Sequence, residues 1–286
     1  MNPRLQAEDL ASRLPPLLVA AERVAATVAA GAHGRRRSGP GEAFWQFRPY
    51  QPGDAAAAID WRQSARGDRL FVRENEWAAA QTVWLWVDSS ASMDWRSGRA
   101  LPRKLERARL LGLALAALLI RGGERVAPLG GGAPPMSGGG ALARLEAAMT
   151  QPGAANLPGV ANLPRHAEAV LVSDFLMAPA ELEAAVRALA ATGCRGHLVQ
   201  VLDPAEETLP FAGRVRFTGL EDEGGLLVRR AEGVRDAYVR RLAAHRDALA
   251  AIAAAVGWSF ALHHTDRPPQ TALLALFARL SREAGR

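Results

Sequence analysis

The run Val83-Trp84-Leu85-Trp86-Val87 stops at Asp88 and gives way to Ser89-Ser90-Ala91-Ser92-Met93. Apolar, β-branched and aromatic residues in such a run predict a buried strand, and the carboxylate with its closely spaced hydroxyls predicts a loop at the strand's end. In an extended loop alternate residues point the same way, so Asp88, Ser90 and Ser92 turn one carboxylate and two hydroxyls toward a common point. A second apolar run, Ala169-Val170-Leu171-Val172, ends in Ser173-Asp174 before Phe175. Two strands that both finish in an acid suit an open parallel sheet, where ligands gather outside the carboxyl ends near the switch in strand order.

Hard oxygen donors of this kind suit Mg²⁺, or Mn²⁺ in its place, and leave coordination positions open for a group from another molecule. The metal-ligand expectation is therefore Asp88, Ser90, Ser92 and Asp174. D-x-S-x-S after one strand with S-D after a later one resembles the metal-ion-dependent adhesion site of von Willebrand factor A-like domains. The resemblance implies a third ligand, a threonine in an intervening loop. The glycine-rich stretch from Gly130 to Gly140 has no threonine, and Ser137 is its one hydroxyl. The resemblance also implies that a partner's carboxylate completes the ion's shell.

Read in order, residues 4 to 31 predict a helix bent at Pro15-Pro16, and Arg35-Arg36-Arg37 opens a Gly/Pro loop. From Gly41 to Arg66 aromatics and charges interleave, which predicts an irregular strip packing Phe44, Phe47, Tyr50 and Trp61 onto a body. Arg48, Asp54, Asp60 and Arg66 are expected to pair within it, with Asp60 and Trp61 buried. Leu70 to Glu76 predicts a strand along the sheet edge and Thr82 to Val87 a central one, with Trp84 and Trp86 on one side. Further elements are a helix over Arg103–Arg121, a strand over Arg125–Leu129, helices near Ala141–Met149 and Pro179–Ala191, and a strand over His197–Leu202. Strands at 215–217 and 226–228 predict a hairpin insertion. A helix over Glu232–Val256, a strand over Trp258–His263 and a helix over Gln270–Arg282 complete the chain. This alternation predicts an α/β fold, a doubly wound, mostly parallel sheet covered on both faces. The domain expectation is 1–80 for the helix and wrapping segment and 81–286 for the sheet domain, with the hairpin near 213–230.

The order of motifs is itself informative. Phe44, Arg48, Tyr50, Pro52, Gly53 and Asp54 are followed by Ile59-Asp60-Trp61-Arg62-Gln63-Ser64-Ala65-Arg66, then Leu70 to Glu76, then the Asp88 loop, then Asp203-Pro204-Ala205-Glu206 and Leu209-Pro210-Phe211-Ala212-Gly213. This series resembles the bacterial domain-of-unknown-function family 58, with Ala43 at an otherwise acidic position. The resemblance implies a Rossmann-type, von Willebrand factor A-like domain that acts as a protein-binding adaptor. It further implies a MoxR-type AAA+ ATPase as partner, in chaperone-like remodelling or complex assembly. Arg48, Tyr50, Gly53, Asp54, Asp60, Trp61 and Arg66 are the partner-binding or structural motif residues it marks.

Composition narrows the alternatives. The net charge is +6, yet 34 of the 35 basic residues are arginine and Lys104 is the one lysine. The excess is spread, +2 over residues 1–80, +3 over 81–174 and +1 over the rest, which argues against a nucleic-acid interface. The single Cys194 excludes an internal disulfide and fits a small core residue in a cytoplasmic protein. No apolar run reaches the length of a membrane span, and acidic residues interrupt any signal-like start. Haloacid-dehalogenase-type phosphatases carry a second acid two residues after the strand-end aspartate; Ser90 stands there, and no other catalytic motif is present, so the reading is non-enzymatic. The alternative is a structural scaffold that has lost its metal and binds through residues 44–66.

Overall fold

In a computed structural model of the chain, the described residues are 23–28, 44–50, 59–67, 69–75, 81–130, 132–138, 140–150, 157–158, 163–164, 167–220 and 224–283. They form two compact units, one from 33–80 and a larger one from the remainder. The described part of the N-terminal helix belongs to the larger unit, where Val24, Ala25 and Val28 are buried in its core.

In the smaller unit, β1 (Phe44–Pro49) pairs antiparallel with β2 (Phe71–Asn75), with a bulge between Phe44 and Gln46. Two expectations change here. The aromatic strip contains a regular strand, and β2 pairs with that strand instead of lining the edge of the parallel sheet. A helical turn, α1 (Trp61–Ser64), starts at Asp60, whose carboxylate accepts from the Gln63 N–H at 2.9 Å. The Ser64 hydroxyl donates to Asp60 O at 2.8 Å and accepts from Phe71 N–H at 2.9 Å, tying the turn to β2. Trp61, expected to be buried, is 65% exposed: once Asp60 and Ser64 face inward to make these bonds, the first position of the turn points outward. Arg66 is exposed too, whereas Gly53, Asp54 and the side chain of Arg48 lie outside the described residues.

The larger unit holds a five-stranded parallel sheet in the order β4-β3-β5-β6-β9, from β3 (Thr82–Val87), β4 (Arg125–Pro128), β5 (Glu168–Ser173), β6 (Arg195–Leu202) and β9 (Ser259–His264). The order reverses between β3 and β5, so the residues after these two strands flank the switch point. Strand pleating divides the core into two layers. Val83, Leu85 and Val87 face one layer with Val170 and Val172, beneath α2 (Lys104–Arg121), α3 (Ala141–Thr150) and α7 (Pro269–Glu283). Trp84, with Trp86 packed beside it, joins Ala169, Leu171 and Leu198 on the other, beneath α4 (Pro179–Ala191) and α6 (Ala231–Ala255). The central strand β5 is buried along its whole length, as a run with no polar alternation requires. Pro179 opens α4, where a missing N–H leaves nothing unpaired. β7 (Val215–Thr218) and β8 (Gly225–Val228) form the expected hairpin. Among the described residues no helix is long and apolar enough to cross a membrane.

Candidate functional site

The ends of β3 and β5 meet through serine. The Ser173 hydroxyl donates to Asp88 Oδ2 at 2.6 Å, and the Ser90 N–H donates to Asp88 Oδ1 at 2.8 Å, so both oxygens of this carboxylate, 1% exposed, are engaged. Burial pushes the Asp88 carboxyl above its ordinary pKa, and the bonds from Ser173 and Ser90 offset part of that. The Ser90 and Ser92 hydroxyls are 3.1 Å apart, and Ser92 donates onward to Asp174 Oδ2 at 2.8 Å. The sequence-predicted set Asp88, Ser90, Ser92 and Asp174 is thus brought into one hydrogen-bonded cluster.

The backbone after β5 is bent to make this possible. Phe175 has φ of 50°, a left-handed conformation that a bulky residue adopts only when its surroundings hold it there. Its N–H donates to Ser173 Oγ at 2.9 Å, the Leu176 N–H reaches Asp174 Oδ1 at 3.2 Å, and a ring nitrogen of His245 from α6 lies 2.7 Å from the Phe175 carbonyl. From β6, Gln200 donates to the Asp174 carbonyl at 2.8 Å. The Phe175 ring meanwhile is buried in the second core layer.

Two residues that the motif reading did not assign to the site complete it. Lys104, at the start of α2, is 1% exposed, and its ammonium donates to Asp174 Oδ2 at 2.8 Å and to Glu206 Oε1. Burial opposes its charge, but the charges of Asp174 and Glu206 and the bonds to both outweigh burial, and the ammonium ends above the ordinary lysine pKa. Glu206 lies in α5 (Pro204–Thr208), a short helix that the sequence reading did not mark. Its Oε2 accepts from the Asp203 N–H at 2.8 Å while Asp203 accepts from the Ala205 N–H at 2.9 Å, a reciprocal cap. The other oxygen of Asp203 accepts from the Ser97 N–H at 2.9 Å, which pins the loop carrying Arg96 and Arg99 over the same sheet edge. One signal for Lys104 was available in the sequence, its isolation among 34 arginines.

Ser137 does not join the site. It follows Met136, which bridges antiparallel to Val126, and Val126 is in register with Val83 at the start of β3. Five strand residues at about 3.3 Å each place Met136, and Ser137 beside it, roughly 16 Å from Asp88. Met136 is thus brought back onto β4, toward the start of that strand and away from the carboxyl edge.

The fit to a divalent cation follows from these bonds. Ser137, the one hydroxyl of the glycine-rich stretch, does not reach Asp88, both Asp88 oxygens accept from protein donors, and the Ser92 hydroxyl and an ammonium both donate to Asp174 Oδ2. A divalent ion about 4 Å from that ammonium would meet a repulsion of roughly 8 kcal/mol at an effective dielectric of 20, before the attraction of the carboxylates. As arranged, the residues do not fit a bound Mg²⁺, and the described residues contain no cluster of three or more His, Cys, Asp or Glu that could hold a metal ion.

Uncharacterized proteins from Mycobacterium bovis and Mycobacterium tuberculosis are each 31% identical to this chain over 255 residues, covering 80% of it and 76% of the relative. Among solved structures, a conserved hypothetical protein BatB from Bacteroides thetaiotaomicron is 16% identical with a TM-score of 0.43, over 72% of this chain and 100% of that one. An aerotolerance-related membrane protein from Bacteroides fragilis is 15% identical with a TM-score of 0.42, over 71% and 100%. The model of the family described as protein of unknown function DUF58 matches residues 46–248, which include both strand-end acids, Lys104 and the Asp203–Glu206 cap, and the chain belongs to that family.

Proposed function

We propose that this chain is a non-enzymatic protein-binding adaptor built on a von Willebrand factor A-like sheet, and that it receives an acidic group of its partner at the carboxyl edge. The observation that carries this reading is the bond from Ser97 N–H to Asp203, which fastens the arginine-bearing loop to the end of β6, at the same carboxyl edge of the sheet as the Ser90 and Ser92 hydroxyls. Arg99 is exposed, and Arg96 is half-buried with one donor on the Leu101 carbonyl. Guanidinium groups and hydroxyls together suit a carboxylate, because the planar fork can donate two parallel bonds. The family resemblance supplies the partner to test first, a MoxR-type AAA+ ATPase.

A serine, a histidine and a glutamate also adjoin at the opposite end of the sheet, with His197 Nδ1 2.7 Å from Ser259 Oγ and Nε2 3.5 Å from Glu168 Oε2. Their order matches a nucleophile, base and orienting acid, but they sit on strand bodies with His197 and Glu168 buried, where a substrate has no access. This supports a structural role for them.

The test is the affinity for the ATPase, measured by calorimetry, of the wild type, Ser90→Ala/Ser92→Ala and Arg99→Glu. At least tenfold weaker binding is the expected result, with an unchanged melting temperature in Arg99→Glu and one lowered by a few degrees in the double serine variant, which loses the bond from Ser92 to Asp174; full affinity in both variants overturns the reading. A second surface has its own observation, the exposed Trp61, since exposed aromatics often anchor interfaces. Loss of binding in Trp61→Ala alone would move the contact to residues 44–66.

A further inference from the structure

We propose that the ammonium of Lys104 is the resident cation of this site and that the site works without a metal ion. A metal-ion-dependent adhesion site needs positive charge to hold two strand-end carboxylates together and to keep its hydroxyls aligned. Here that charge is covalently attached. Lys104 Nζ bridges Asp174 at the end of β5 and Glu206 after β6, and Asp174 in turn accepts from Ser92 in the loop after β3. The ammonium therefore joins the ends of three strands.

Two features show that this position is specified and not incidental. Arginine is used at 34 of 35 basic positions, and the single exception is the one that is buried between carboxylates. A compact ammonium with three rotatable donors suits such a pocket, whereas a guanidinium is broad and planar. The residue also opens a helix, where the macrodipole disfavours a cation, so local helix energetics argue against a lysine here. Asp174 and Glu206 supply the opposing attraction, and Glu206 is itself oriented by the Asp203 N–H. The D-P-x-E element thereby acquires a role: it aims a carboxylate at Lys104 and, through Asp203, fastens the Ser97 loop.

This inference stands independently of the identity or chemistry of any partner. Its test is a Mn²⁺ titration of the purified full chain followed by electron paramagnetic resonance of the free ion, with thermal melts in chelator and in excess Mg²⁺. The wild type is expected to leave the Mn²⁺ signal undiminished up to millimolar ion and to melt at the same temperature in both buffers. Lys104→Met is expected to lower the melting temperature by roughly 10 °C, because it leaves buried carboxylates without their cation. Lys104→Met/Glu206→Gln is expected to recover several degrees by removing one of those carboxylates. Uptake of one Mn²⁺ per wild-type chain that is lost in Ser92→Ala overturns the proposal, as does a Lys104→Met protein that melts like the wild type. If Lys104→Met yields no folded protein, the wild-type titration still decides.

Discussion

The Ser173 hydroxyl lies 2.6 Å from Asp88 Oδ2, so a residue at the end of β5 satisfies the carboxylate at the end of β3. Ser173 Oγ also accepts from the Phe175 N–H, which holds the left-handed turn that presents Asp174. One hydroxyl thus serves both halves of the strand-end cluster.

Ser173→Ala removes a donor from a buried carboxylate and an acceptor from a strained turn. A buried polar group left unsatisfied costs about 1–3 kcal/mol, and with two affected a loss of about 3 kcal/mol is expected from urea unfolding. The Asp88 carboxyl, already raised by burial, should rise further, because Ser173 is the strongest of the bonds that lower it. Measurement of the Asp88 carboxyl by NMR checks the second effect.

Asp203 fastens three things at once: the N-terminus of α5, the orientation of Glu206 and the Ser97 loop. Asp203→Ala is expected to cost about 2 kcal/mol, at the upper end for loss of a helix cap. Hydrogen exchange at the Ser97 amide distinguishes this from a plain capping loss, since its protection should fall together with that of Ala205.

His263 is buried, and its Nε2 finds no hydrogen-bond partner among the described residues. Burial first, then the charges of Arg107 and His264, pull its pKa down to about 4. The unfolded chain therefore binds a proton near pH 6.5 that the native state refuses until about pH 4, so stability is full above 6.5 and falls as pH drops through this window. The loss attributable to this ring approaches roughly 3 kcal/mol at the low end. In His263→Gln, denaturant titrations between pH 7 and 4 should lose that part of the slope; an unchanged slope places the acid sensitivity elsewhere. Asp88, whose carboxyl is raised, contributes the opposite sign near the acid end, which is why the difference between the two proteins is the quantity to compare.

Gly196 in β6 lies under Trp258. A Cβ built there would fall 2.3 Å from the indole ring, whose N–H is committed to the Cys194 carbonyl at 3.1 Å. Because the ring is buried and bonded, it cannot swing aside, and Gly196→Ala is expected to destabilise by about 3 kcal/mol, as overpacked cores do. Near-ultraviolet circular dichroism of the indole should change in parallel with the urea midpoint.

Much of this architecture was legible beforehand because it rests on short-range pattern. The alternation of Val83, Leu85 and Val87 with Trp84 and Trp86 sorted these side chains onto two faces, as found. Apolar runs ending at Asp88 and Asp174 located two strand ends, and parallel topology brought them together. Trp61 went the other way: its aromatic character suggested burial, but the inward bonds of Asp60 and Ser64 turned it out. Ser137 was a question of loop register, which glycines leave undetermined, and the bridge of Met136 to Val126 settled it.

The sequence by itself determined the parallel α/β sheet, the two faces of its strands and the residues that stand at its carboxyl edge, because period-two patterning and strand-end chemistry are local. Only the tertiary structure brought Lys104 to Asp174 and Glu206. Lys104 is 70 residues from Asp174 and 102 from Glu206. No local preference links three such positions, and they converge because α2 begins, and β5 and β6 both end, at the same edge of one sheet.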